Sequence, residues 1–281
     1  MLALPHTNSW GFVYTNQANG SFTPGTSVAP GASNVEGSWV EIGPDASITT
    51  DIHYVTIFLF GGATSGQAKP QILDLGWDPA GGTSYVAWMS NLVMGCSGPF
   101  QGANGSHGRP YHFPCRIPAG SAIAVRIQGA NATAGTVLVL AYFYGKPSRP
   151  ELWRPAAYTE TIGAITNSDG VAFTPGNAGW GAWASLGTTT KSAFWAQLGA
   201  QCNNNTITGE MVKVQLGIGD GTNMHTIIDS WINATSFEAT SHEMQQPCTW
   251  EIPAGAELWV RGNASGAPSS GYNATAVLFG G

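Results

Sequence analysis

The chain has 281 residues, 43% of them hydrophobic, with a net charge of −6 at neutral pH. The acidic balance excludes the basic footprint of a nucleic-acid binder, and no run reaches the ~20 apolar residues that a membrane-spanning helix needs. Only 9% of residues are Asp, Glu, Lys or Arg, against ~25% in an average soluble chain, so much of the surface is expected to lie against neighbours.

In chain order, MLALPHTNSW has neither a basic start nor a long apolar stretch, so it is not expected to be a secretion signal. FTPG (Phe22–Gly25) is a turn, and GSWVEIG (Gly37–Gly43) and IHYVTIFLF (Ile52–Phe60) read as strands bounded by Gly, Pro, Asn and Ser. LDLGWDPAGG (Leu73–Gly82) is a strand running into an Asp-capped turn, followed by Trp88. FPCRIPAGSAIAVRIQG (Phe113–Gly129) joins two strands through a Pro/Gly turn, and TVLVLAYFYG (Thr136–Gly145) closes the first half. KPSRPELWRPAAY (Lys146–Tyr158) holds three prolines and reads as an extended connector.

The second half then repeats the first. FTPG returns at Phe173–Gly176, GAWASLG (Gly181–Gly187) answers GSWVEIG, and Leu216-Gly217 answers Leu75-Gly76. Trp231 is matched with Trp88, Trp183 with Trp39, and IPAG recurs at Ile252. The strand after each IPAG bears one arginine, Arg126 or Arg261, on the face opposite its apolar residues. The motifs keep their order while the spacing between copies mostly shrinks, the pattern of a tandem duplication with shorter loops in the second copy. The second copy has two extra residues between Cys248 and Ile252, relative to Cys115 and Ile117, which preserves strand parity.

The expectation is an all-β chain of two tandem β-sandwich or jelly-roll domains. Residues 1–145 form the first, 146–158 a Pro-rich linker and 159–281 the second. No stretch sustains helical periodicity.

Four cysteines occur without zinc spacing. Two readings stand: bridges Cys96–Cys115 and Cys202–Cys248, or small buried thiols, the second favoured for a chain folding in a reducing cytoplasm. No nucleophile elbow, phosphate loop or H-E-x-x-H motif is present, and no aromatic-flanked carboxylate pair stands out. The expectation is therefore no enzyme activity, no metal and no cofactor. Tryptophans without a clear counterpart are candidates for contacts with neighbours, first among them Trp10, Trp153, Trp180 and Trp259.

With GSWVEIG, LDLGWDPAGG, SNL, FPCRIPAGSAIAVRIQG and LAYFYGKPSRPELW in order, the chain resembles virion structural proteins of tailed bacteriophages. The match is best over Phe22–Trp153. The second copy departs from it, lacking the D-L-G aspartate and reading LWVRGNAS for IAVRIQG. The resemblance implies a β-sandwich component of a tail or capsid surface, made in the host cytoplasm and residing in the virion. Its implied partners are further copies of itself and other virion proteins, with no nucleic acid and no membrane. A receptor-binding spike or lectin that contacts a host surface glycan is the alternative.

Overall fold

The protein is described by a computed structural model, over residues 10–17, 25–32, 35–61, 71–94, 96–97, 110–129, 136–147, 154–163, 170–202, 210–234, 238–241, 245–266 and 272–281. The chain is all β within these residues, apart from one 3-10 turn at Asp45–Ser47. The first half contributes β1 (Trp10–Thr15), β2 (Thr26–Val28), β3 (Val40–Gly43), β4 (Ile52–Gly61), β5 (Gln71–Asp78), β6 (Val86–Met94), β7 (Cys96–Ser97), β8 (Pro110–Ile117), β9 (Ala122–Gly129) and β10 (Val137–Pro147). The second contributes β11 (Tyr158–Ile162), β12 (Val171–Phe173), β13 (Gly176–Asn177), β14 (Ala184–Thr188), β15 (Ala193–Cys202) and β16 (Glu210–Gly219). It continues with β17 (Met224–Ala234), β18 (Glu238–Ser241), β19 (Gln245–Ile252), β20 (Glu257–Ala264) and β21 (Tyr272–Gly280).

Each half forms two facing sheets. The first has the orders β1-β10-β4-β8, with β2 also on β10, and β3-β9-β5-β6. The second repeats them as β11-β21-β15-β19, with β12 on β21, and β20-β16-β17 with β14 on β20. The last sheet is longer: β18 pairs with β17, and β7 from the first half pairs with β18.

The recurring motifs mark backbone requirements. Gly120 and Gly255 of the two IPAG turns take φ of 77° and 82°, where a side chain would be strained. Each donates its N–H to the preceding connection, Gly120 to the Ile48 carbonyl and Gly255 to the Thr189 carbonyl, both at 2.8 Å. Gly76 and Gly217 serve a different need. A Cβ there would lie 2.9 Å from the Trp39 ring and 2.8 Å from the Trp183 ring. The glycine of each L-G pair is thus the seat of the tryptophan of G-S-W or G-A-W. The two extra residues of the second copy are absorbed in a bulge. Ile117 to Pro114 spans the same stretch of β4 as Ile252 to Pro247 spans of β15.

The two sandwiches share a core. On β15 and β21 the even-numbered residues Ala196, Leu198, Ala274, Ala276 and Leu278 fill the second half's own interior. The odd-numbered Trp195, Val277 and Phe279 join the core of the first half. Phe279 meets Phe113 of β8 at 6.0 Å and Trp88 of β6 at 5.8 Å between ring centroids. Strands β8 and β6 are the two edges on one side of the first sandwich, so the second half's sheet closes that open side. The exposed backbone of edge strand β6 is also satisfied there. Thr159 and Thr161 donate to the carbonyls of Trp88 and Ser90, the latter at 2.5 Å, and the Val93 N–H reaches Thr275 Oγ1 at 3.4 Å. The linker expected over 146–158 is shorter, because β10 extends to Pro147 and β11 begins at Tyr158.

Candidate binding face

Arg126 and Arg261 occupy matching register positions. Arg126 lies opposite Asp74 on β5, and Arg261 opposite Gln215 on β16. Each lies on the outer face of its sheet, because the neighbouring Val125 and Ile127, or Val260, turn inward. Their surroundings differ at two places.

In the first half the guanidinium is enclosed by acids. Its Nε donates to Asp74 Oδ2 at 2.8 Å, one terminal nitrogen meets the same oxygen at 2.8 Å, and the other meets Glu36 Oε2 at 2.6 Å. The Trp39 ring lies 4.6 Å below the guanidinium carbon. Asp74 is buried, 3% exposed, and its other oxygen accepts the Asn91 N–H at 2.7 Å. Asn91 takes a φ of 57° in the bulge between β5 and β6, so the strand is bent to deliver that N–H. Burial and the Asp74 charge push the Glu36 carboxyl up, with Arg126 opposing. Beside this cluster the Tyr85 hydroxyl donates to Glu41 at 3.1 Å. Burial, then the Glu41 contact, pushes the Tyr85 phenol up to about 12.

In the second half Gln215 stands for Asp74, and Trp180 for Glu36, each set three residues before the seated tryptophan in the case of Glu36 and Trp180. Arg261 Nε donates to Gln215 Oε1 at 2.9 Å, and Gln215 Nε2 donates to Asp229 Oδ2 at 3.3 Å. Asp229 also pairs with Lys213 Nζ at 2.8 Å. The guanidinium carbon lies 4.3 Å from the Trp183 ring and 4.6 Å from the Trp180 ring. Lys213 Nζ in turn lies 5.5 Å from Trp180 and 5.8 Å from Trp231. The outer face therefore presents a ladder, Trp183–Arg261–Trp180–Lys213–Trp231, in which cations alternate with rings. Partial burial lowers the Arg261 pKa, opposed by the Asp229 charge. Trp231 is 48% exposed. At the other end of the ladder Trp183 lines a depression of about 490 Å³, together with Phe173, Pro175 and Gly181.

Trp39 and Trp183 lie on their glycines as described. Trp88 and Trp231 do not correspond, which corrects the sequence pairing. Trp88 stands at the bulge opposite Leu75 and Gly76, where the second half has Ile227, whereas Trp231 lies opposite Lys213. The β5–β6 pair contains a second bulge at Leu73/Leu75 that β16–β17 lacks, and this shifts the alignment beyond it. Trp259 on β20 is engaged by the β16–β17 turn: its Nε1 donates to the Gly219 carbonyl at 2.9 Å and its ring covers Gly221. Trp180 belongs to the ladder. Trp153 and the side chain of Trp10 lie outside the described residues.

Cys115 is a buried, unbridged thiol whose Sγ lies 3.8 Å from the Ile52 carbonyl, so the Cys96–Cys115 bridge is not formed. Burial pushes that thiol well up. The side chains of Cys96, Cys202 and Cys248 lie outside the described residues. Among the described residues no three His, Cys, Asp or Glu side chains gather as a metal site requires. Trp195, missed as a site residue by sequence reasoning, plugs the shared core. Its signal was an apolar residue on both faces of β15.

No known family model matches the chain, and no curated protein matches it. Among solved structures, PNGF-II is similar at 10% identity with a TM-score of 0.40, over 98% of this chain and 66% of that one. A tandem CBM22-1-CBM22-2 domain of Xyn10C from Paenibacillus barcinonensis is similar at 9% identity and a TM-score of 0.27, over 96% and 98%. A chain of Sulfolobus Turreted Icosahedral Virus is similar at 12% identity and a TM-score of 0.39, over 95% and 89%. The chain thus spans just under two thirds of PNGF-II. Likenesses of this size bear on neither function nor partner.

Proposed function

We propose that the chain is a non-catalytic structural component of a tailed-bacteriophage virion, on the tail or the capsid surface, assembled in multiple copies. The ordered motifs of the resemblance support it, since each marks a position that organises a sandwich. The observation that carries the reading is the shared core. Two sandwiches locked through β15 and β21 make a stiff block, leaving outer sheets and edges for neighbours, with Phe12 and Val86 exposed at 58% and 68%. Scarce charge suits such contacts. Sedimentation velocity at micromolar concentration tests it. A discrete multimer is expected, and a soluble, monodisperse species of 29.3 kDa contradicts it.

A second reading, recognition of a surface saccharide, is favoured by one observation: the half-exposed Trp231 ring beside Lys213 and Asp229 on the second sandwich. Aromatic rings with an apolar face and polar neighbours suit sugar rings. Both roles are compatible in one virion protein.

A further inference from the structure

We infer that the outer face of the second sandwich binds an acidic saccharide, with Trp231 as its stacking ring and Arg261 as its carboxylate clamp. The inference rests on the saccharide reading above and names the ligand class and the residues.

The two copies treat the same arginine differently. In the first half the arginine fork is filled, by Asp74 on one side and Glu36 on the other. In the second half both carboxylates are replaced, by an amide and by an indole, so the terminal nitrogens of Arg261 form no ion pair among the described residues. A planar fork of donors fits a carboxylate with two parallel hydrogen bonds. The fork is held flat and in place by Trp180 and Trp183, and Nε is fixed by Gln215. A ligand would therefore meet a donor pair already oriented.

Local charge points the same way. Arg126 with Glu36 and Asp74 leaves one net negative charge, whereas Arg261 and Lys213 with Asp229 leave one net positive charge. The immediate surroundings of Arg261 are cationic within an acidic protein. Trp231 on β17 and Arg261 on β20 stand on opposite sides of β16, at strand spacings of about 4.8 Å each. That separation matches an oligosaccharide of two or three residues. Asp229, 39% exposed two residues before Trp231 on β17, offers a carboxylate acceptor for ring hydroxyls.

The experiment is titration of the full chain with oligogalacturonate and with sialyllactose, each against a neutral partner, cello-oligosaccharide and lactose, read by tryptophan fluorescence and calorimetry. At least one acidic saccharide is expected to bind at least tenfold more tightly than its neutral partner. Trp231→Ala and Arg261→Gln, checked for native circular dichroism, are each expected to weaken it tenfold or more. Equal binding of acidic and neutral sugars overturns the inference and leaves the saccharide reading standing. Binding by neither overturns both. If no sugar binds and R261Q instead dissociates the multimer, the face is a contact between copies, and the inference is wrong.

Discussion

At the scale of single residues, one side chain does two different things in two copies. Arg126 compensates a buried acid, while Arg261 lies between two rings and pairs with no carboxylate among the described residues. Removing one partner of a buried pair leaves an uncompensated charge and costs about 3 kcal/mol. Losing the half-buried stack of Arg261 on its rings costs about 1 kcal/mol. Urea unfolding of Arg126→Gln and Arg261→Gln is therefore expected to show the first destabilised by about 2 kcal/mol more than the second. Equal losses would show that Asp74 does not depend on Arg126. The arginines were legible in the sequence because strand alternation fixes their face. Their partners were not. Whether an arginine meets Asp74 and Glu36, or Gln215 and Trp180, depends on strands distant in sequence whose register only the fold reveals.

At the scale of elements, β8 buries a titratable group. His112 is largely buried, stacks on Tyr54 at 5.7 Å between centroids, and shares a 2.9 Å hydrogen bond between its Nδ1 and the Thr56 hydroxyl. Burial pushes its pKa down to about 4 from 6.5. The unfolded chain then binds more protons than the native one between those values, so stability is present above pH 6.5 and is lost as pH falls toward 4. The contribution is at most about 3 kcal/mol. Burial lowers His53 as well, with the same sign. Urea midpoints for the native chain are expected to fall between pH 6.5 and 4, and His112→Gln to flatten that fall. An unchanged slope in the variant would assign the acid limb to other groups. The strands themselves, and the turns that launch β9 and β20, could be read from periodicity and from Pro/Gly placement. The tryptophan match across β6 and β17 could not, because which residue of each strand faces the L-G pair is set by pairing register, which the order of the motifs does not carry.

At the scale of the whole molecule, duplication produced a joined pair of sandwiches with a common interior. The central strand of the second half's closing sheet is buried on both faces, with every residue of β21 buried. That was partly visible in the sequence, since TAVLF offers apolar side chains to both faces, as sheets covered on both sides do. What covers the second face could not be read, because the open side between β6 and β8 exists only once the first sandwich has formed. Burying Trp195, Val277 and Phe279 across that side contributes roughly 1.5–3 kcal/mol for each, enough to make the halves unfold together. Differential scanning calorimetry of the intact chain tests whether the two sandwiches are one cooperative body. A single transition, with the van't Hoff enthalpy equal to the calorimetric enthalpy, is expected. Two separable transitions, each with about half of the total enthalpy, would contradict it.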